Sequence, residues 1–165
     1  MLEKDNLNQE ELEEKQVVIE IRRVTKVTKG GKNLKFRAIV VVGNGKGKAG
    51  FGVGKANEVP DAIRKAVEHA RKNMIEVPLK DSTIFHDVES KFGPSKVILK
   101  PASKGHGMVA GRTMRAFFAV CGIKDIICKC IGSTNPINVL NATVKALQKI
   151  KVKGGENEVT PVETT

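Results

Sequence analysis

Two glycine-rich stretches of this 165-residue chain could do chemistry with phosphates. Residues 45–50 read Gly-Lys-Gly-Lys-Ala-Gly, which matches the GxGxxG spacing of dinucleotide-binding loops. Such a loop needs its third glycine to open a helix, whereas here residues 51–54 continue as a strand. A phosphate loop ending at Gly54-Lys55 also fails, because Ala49 replaces its first glycine and Ala56 replaces its magnesium-binding hydroxyl. A nucleotide-dependent enzyme using this stretch therefore remains only an alternative.

The histidines and cysteines form no recognisable metal or catalytic site. Cys128 and Cys130 lack the paired CxxC spacing of structural zinc, and they fall on one face of a predicted strand, so we interpret them as core residues. His69, His86 and His106 are scattered without partners that spacing would identify as catalytic. The chain also has no Trp and no Tyr, which commonly line small-molecule pockets. We therefore expect no catalytic residues, no metal, no cofactor and no small-molecule substrate.

Positive charge is concentrated in the first third of the chain. Residues 15–57 hold eleven Lys or Arg and one acid, Glu20, which gives a net charge of +10. A folded segment with this charge repels itself unless a polyanion neutralises it. No recognition-helix pattern, zinc finger or aromatic stacking motif is present, so phosphate contacts to an RNA of fixed shape are favoured over duplex DNA or single strands.

Acidic ends flank this basic interior. Residues 1–14 carry a net charge of −5 and the last ten residues carry −3, whereas the interior from Lys15 to Gly155 carries +19. Such ends predict solvated, flexible tails at 1–14 and 153–165. Three cysteines and the lack of a signal peptide or long apolar run indicate a reducing, aqueous compartment, the cytoplasm, with no membrane partner.

The elements that would position the basic residues follow from apolar spacing. Alternation predicts strands over 16–29, 33–42 and 48–54, and a period of three to four predicts a helix over 58–76. The third strand presents Gly50, Gly52 and Gly54 on one face, which indicates close approach either by a helix or by RNA. We expect an α+β fold whose first domain, residues 15–77, is a three-stranded antiparallel sheet with one helix.

The second half predicts a separate α/β domain over 78–152. Strand-like segments cover 83–91, 96–100 and 125–131. Gly122 should end a first helix, and the run from Ser133 to Pro136 should cap a second one.

Several motifs in both halves resemble one known family. They are Lys29-Gly30-Gly31, Gly43-Asn44-Gly45, the run from Gly50 to Ala56, Pro101-Ala102-Ser103 and the run from Gly132 to Asn138. Together they resemble bacterial small-subunit ribosomal protein five, the universal S5 family, over about residues 16–150. The resemblance implies a first domain like the double-stranded-RNA-binding fold, followed by a small α/β domain.

The resemblance also implies partners and sites. Members of the family bind small-subunit ribosomal RNA near the junction of head and body, touch small-subunit proteins four and eight, influence decoding accuracy and lie near the messenger RNA entry channel. By resemblance, residues 26–32 would reach toward the head, and the surface facing protein four would include Lys104, Gly107, Arg112 and Arg115. Lys104 replaces an acid found in many relatives. The candidate RNA contacts are Arg22, Arg23, Lys26, Lys29, Lys32, Lys46, Lys48, Gly50, Gly52, Gly54 and Lys55.

The sequence therefore predicts a structural, non-enzymatic RNA-binding component of the small ribosomal subunit. Two alternatives remain at this point: the nucleotide-dependent enzyme, and a double-stranded-RNA binder that works off the ribosome.

Overall fold

The computed structural model describes residues 14–151, which fold as two compact units. The first unit contains the described residues up to Glu76 together with Ala116–Gly122. The second contains Val77–Arg115 and the described residues from Ile123 onward. Apart from Glu14, the acidic segments predicted as tails lie outside the described residues.

The first unit is an antiparallel sheet with one helix. Its strands are β1 (Lys15–Thr28), β2 (Gly31–Gly43), β3 (Lys48–Ala56) and β4 (Ile75–Glu76), in that spatial order. The helix α1 (Val59–Lys72) has a proline in its first turn, a position at which proline is favoured. The α+β prediction is confirmed, and the expected three-stranded sheet gains a fourth strand of two residues.

Helix α1 packs on the glycine face of β3. A Cβ added at Gly50 would lie 2.6 Å from the carbonyl oxygen of Ala70, and one at Gly52 would lie 2.5 Å from the amide nitrogen of Ala70. At Gly54 it would overlap the carbonyl oxygen of Ala62. The close neighbour of the glycine face is therefore the helix and not RNA. The assignment of these three buried glycines as RNA contacts is wrong because the helix covers them.

The alternation in β1 is broken by a bulge. The register with β2 shifts between Val18 and Glu20, so that Ile19 is an extra residue in β1. The regular alternation of Val17, Ile19 and Ile21 in the sequence predicts that they share one buried face, and the bulge makes this prediction wrong. Val17 lies opposite Val41, whereas Ile21 lies opposite Ala38 on the helix side of the sheet.

Helix α1 is one turn shorter than predicted. It ends at Lys72, and the amide of Asn73 bonds back to the carbonyls of His69 and Ala70. The next residues turn into β4, where Ile75 pairs with Ala49 at the edge of β3. Pairing with a strand edge thus overrides the helical spacing that extends to Met74.

The second unit contains a four-stranded mixed sheet. The second half of the chain also forms two helices, one of which is shared with the first unit. Its strands are β5 (Val88–Phe92), β6 (Ser95–Pro101), β7 (Met108–Val109) and β8 (Ile126–Gly132), in the order β5-β6-β8-β7. Helix α2 (Arg112–Cys121) precedes β8, and from Ala116 onward it belongs to the first unit. Helix α3 (Pro136–Gln148) packs on β5 and β6. No helix within residues 14–151 is long and apolar enough to cross a membrane.

The ends of the helices follow the predicted capping pattern. Gly122 terminates α2 with φ +96° and donates its amide to Phe118, and Asn135 caps α3 by accepting from the Ile137 amide at 3.3 Å. The strand predicted over 83–91 begins only at Val88. Thr83 instead pairs with Lys80 across a tight turn in which Asp81 has a φ of +54°.

Candidate nucleic-acid interface

Three basic residues lie side by side on the sheet face opposite α1. In the register of the first unit Arg22 faces Arg37, and Arg37 in turn faces Lys55. Residues directly opposite across antiparallel strands project from the same face, and like charges in such pairs destabilise the sheet. We call Arg22, Arg37 and Lys55 the cationic row.

The row is largely unneutralised within the described part of the chain. Arg22 pairs with Glu20, its Nε lying 2.6 Å from Oε1, but neither Arg37 nor Lys55 forms an ion pair with any residue between 14 and 151. The Nε of Arg37 is also buried without a hydrogen-bond partner among these residues. An anion on this face would relieve the repulsion between the cations.

Beyond the cationic row, β1 and β2 continue as a two-stranded ribbon. Pairing of β2 with β3 stops at Phe36, the partner of Arg23, so residues 24–35, which we call the hairpin arm, have no third strand. From Val24 to Thr28 the arm reaches about 13 Å at the usual rise per strand residue. Four of its residues are Lys and none is acidic, and nearly all of its side chains are exposed.

The structure brings only some of the predicted RNA contacts together. Lys26 lies on the same face as the cationic row, four pairs along from Arg22, whereas Arg23 and Lys32 face the other way and Lys29 occupies the turn. Lys48 lies at the far end of β3 from Lys55, about 23 Å away at strand spacing and on the opposite face. The candidates thus form one cluster around the arm, with Lys46 and Lys48 outside it.

Two basic residues of this cluster were not among the predicted contacts. Arg37 stands in the centre of the cationic row, and Lys35 follows it on the same face of β2. The signal was present in the sequence, because both alternate with Phe36 and Ala38, which face α1. Only the cross-strand register shows that Arg37 has a cation on each side.

The loop that matches GxGxxG has no free amide to offer a phosphate. The Gly45 amide donates to the carbonyl of Val120 at 2.9 Å, and the Gly47 amide donates to that of Cys121 at 2.8 Å. The side-chain oxygen of Asn44 accepts from the amides of Lys46 and Lys48 at 2.8 and 3.1 Å. The bonds from Gly45 and Gly47 satisfy the last carbonyls of α2. All four bonds lie within the first unit and occupy the donors that a nucleotide site would need.

Asp125 organises the predicted partner surface in the second unit. Its Oδ2 accepts from the Ser82 hydroxyl at 2.5 Å, and its Oδ1 accepts from the Gly107 amide at 2.9 Å. These two hydrogen bonds, led by that from Ser82, hold the pKa of Asp125 below its usual value. The loop bearing Gly105 and Gly107, both at positive φ, is thereby tied to the start of β8.

The other residues predicted to face a partner protein lie in this loop or in the first turn of α2. Lys104, Arg112 and Arg115 are exposed, and the guanidinium of Arg115 donates to the carbonyl of Met108 at 3.3 Å. We call Gly107 and these three basic residues the rim of the second unit.

The cysteines are buried or half-buried, and their thiols are not activated as nucleophiles. Burial raises the pKa of the Cys121 and Cys128 thiols to about 12, and it also raises that of the half-buried Cys130. Within residues 14–151 no group of three or more His, Cys, Asp or Glu side chains is arranged to hold a metal ion.

Comparisons with known proteins agree with this architecture. The family model described as ribosomal protein S5, N-terminal domain, matches residues 14–78, and that described as ribosomal protein S5, C-terminal domain, matches residues 90–153. Three proteins named small ribosomal subunit protein uS5, from Campylobacter jejuni strains 81-176, 81116 and RM1221, are each 54% identical over 147 residues. The match covers 89% of this chain and 99% of each relative. The resemblance inferred from the sequence is thus confirmed, and the chain belongs to the ribosomal protein S5 family.

Proposed function

We propose that this chain is a structural component of the small ribosomal subunit that binds ribosomal RNA through the hairpin arm and the cationic row. The observation that carries the proposal is the row itself, in which Arg37 lies between Arg22 and Lys55 without a carboxylate partner of its own among residues 14–151. Family membership supports the assignment to this particle, since the relatives are named as proteins of the small ribosomal subunit.

The proposed mechanism is electrostatic. Each cation that replaces condensed counterions on a phosphate makes RNA binding more favourable and more sensitive to salt. The two-stranded arm gains rigidity when RNA neutralises it, because an isolated hairpin of like charge is only marginally stable by itself. Binding by the arm and the row together would hold RNA segments of the head and body in register, which requires no catalysis.

A salt series on binding to small-subunit ribosomal RNA tests this mechanism. Arg37→Gln and Lys55→Gln should each flatten the plot of log affinity against log salt by about 0.7 to 0.9, the slope expected for one phosphate contact. Lys145→Gln, on the exposed side of α3, is the matched control and should leave the slope unchanged. Unchanged slopes in both test variants would contradict the proposed interface.

We further propose that the rim around Gly107 contacts protein four and contributes to decoding accuracy, with protein eight as another neighbour and the messenger entry channel nearby. The support is the resemblance together with a rigid loop that Asp125 holds in place. Gly107→Arg should change the frequency of misreading in assembled subunits. Gly105→Arg is the matched control, because both glycines have φ near +84° and open space around a Cβ. Equal effects from the two variants would point to loop strain instead of a contact at Gly107.

Sedimentation distinguishes this proposal from an RNA binder that works off the ribosome. The chain should cofractionate with small subunits and remain there after a moderate salt wash. Titration with ATP, GTP and NAD should show no specific binding, as the occupied amides of residues 44–48 imply.

A further inference from the structure

The sheet of the second unit has one open face. Helix α3 packs on β5 and β6, and the buried side chains Val97, Leu99 and Ile126 belong to the covered side. The alternate residues of all four strands project from the other side and are exposed or half-buried. This open face consists of Glu89, Lys91, Lys96, Ile98, Lys100, Val109, Ile127, Lys129 and Ile131.

Apolar side chains form a diagonal patch across the open face. Val109 is 51% exposed and lies beside Ile127, which is 36% exposed, in the parallel pair of β7 and β8. Ile131 is 48% exposed, and Ile98 on β6 lies opposite Lys129, midway between Ile127 and Ile131. Contiguous exposed apolar residues with a polar surround mark protein interaction sites more often than ordinary surface.

Lysines are interleaved with this patch in a regular way. Ile127 faces Lys100, Ile98 faces Lys129, and Ile131 faces Lys96, so each isoleucine has a lysine directly opposite it. Lys91 extends the row of Lys96, and Glu89 is the single acid of the face. Among the described residues, the lysines of this face form one ion pair, a long one of 3.8 Å between Lys96 and Glu89.

We propose that the open face docks a protein whose contact surface places carboxylates between apolar side chains. The net positive charge of the face calls for acidic groups, and the apolar patch calls for aliphatic or aromatic side chains to cover it. RNA would satisfy the lysines but would leave Ile127 and Ile131 beside phosphates, and the face offers no aromatic ring on which a base could stack. In contrast to the cationic row, whose three members are all charged, this surface alternates charge with apolar area.

Zero-length carbodiimide cross-linking tests the chemistry directly, because it joins a lysine amine only to a carboxylate in contact with it. The chain, carrying an affinity tag, is cross-linked in extract at moderate salt, fractionated into small subunits and remaining material, and analysed by mass spectrometry. Lys100 and Lys129 should be joined to Asp or Glu residues of one identified protein, within a segment that also carries apolar residues. Acetylation of these lysines should be at least several-fold slower than in the purified free chain.

Two variants separate docking from chance proximity. Ile131→Ser should lower the yield of the Lys129 cross-link several-fold, because it removes apolar contact beside that lysine. Val18→Ser, at a residue that is exposed to a similar degree in the first unit, should leave the yield unchanged. Equal yields in the two variants would overturn the proposal.

The remaining outcomes are also decisive. Ultraviolet cross-links from Lys100 or Lys129 to RNA, carbodiimide links only to the chain's own Glu156, Glu158 or Glu163, or no links in any fraction would each overturn the inference. The inference depends on the proposed function in one respect only, namely that the partner is expected in the small-subunit fraction. If the chain is missing from small subunits, the proposed function fails, while the expected links in another fraction still support the docking face.

Discussion

Replacement of Gly52 by alanine should loosen the first unit by forcing α1 away from β3. The added Cβ would lie 2.5 Å from the Ala70 nitrogen and 2.9 Å from the His69 Cβ, and it would overlap the Ala66 carbonyl oxygen. Carbon contacts in proteins are normally about 3.5 to 4.0 Å, so the helix must retreat by about 1 Å along this stretch. Ala62, Ala66 and Ala70 on the buried side of α1 would lose contact with the sheet.

The expected cost follows from two opposing effects. Overpacking of this kind costs about 1 to 3 kcal/mol, and more where backbone atoms clash, whereas loss of glycine freedom in the unfolded chain returns about 0.4 to 1 kcal/mol. A net loss of about 2 kcal/mol should lower the melting temperature by about 4 to 8 °C in a chain of this size. Thermal unfolding followed by circular dichroism and hydrogen exchange of the α1 amides would measure both effects.

Gly30→Ala provides the matched control. No atom lies within 4 Å of a Cβ at Gly30, so stability should change by less than about 0.5 kcal/mol. If Gly52→Ala keeps native stability and exchange, the packing argument fails. If it keeps both and loses affinity for RNA, the glycine face contacts RNA after all.

Three further changes test other contacts. Asn44→Ala should lower the free energy of unfolding by about 1 to 2 kcal/mol and speed hydrogen exchange of the Lys46 and Lys48 amides. Asn33→Ala on the hairpin arm is the control and should change neither. Unaltered exchange in Asn44→Ala would mean that the Asn44 side chain does not hold the loop. Because the pKa of Asp125 is lowered in the folded chain, its contribution to stability is present above the unfolded value near pH 4 and is lost as pH falls toward the folded value. The denaturation midpoint of Asp125→Asn should therefore change less than that of the parent chain between about pH 5 and pH 2, and parallel curves would refute the assignment. With a thiol reagent at pH 8, Cys130 should react first, and Cys121 and Cys128, whose pKa values are raised to about 12, should react only on unfolding; equal rates for the three in the folded chain would contradict their burial.

The sequence was sufficient for the elements whose signals are local. The alternation of Phe36, Ala38, Val40 and Val42 identifies the side of β2 that packs on α1, although Ile39 and Val41 on the other side are buried as well. Gly122 correctly predicts the end of α2. Both depend on neighbours within a few residues, where spacing and backbone freedom determine the outcome.

Features that depend on distant residues could not be read in the same way. The bulge at Ile19 follows from the register with β2, and an extra residue leaves no mark on the apolar period because Val17, Ile19 and Ile21 alternate regularly. The three glycines of β3 indicate a close neighbour, but that neighbour can be identified as α1 only from the three-dimensional structure. The cationic row likewise becomes visible only when three strands are in register, although each of its members is evident as a basic residue.

The hydrogen bonds from Gly45 and Gly47 to Val120 and Cys121 have a consequence for synthesis of the chain. A polypeptide emerges from its N-terminus, so the turn between β2 and β3 exists well before the carbonyls that its amides will meet. The first unit therefore cannot reach its final state as soon as its sheet and helix have been translated, since seven of its residues, Ala116–Gly122, come about forty positions later. Until then the amides of Gly45 and Gly47 can donate only to water. Folding of the first unit is completed only after the C-terminal end of α2 has been translated.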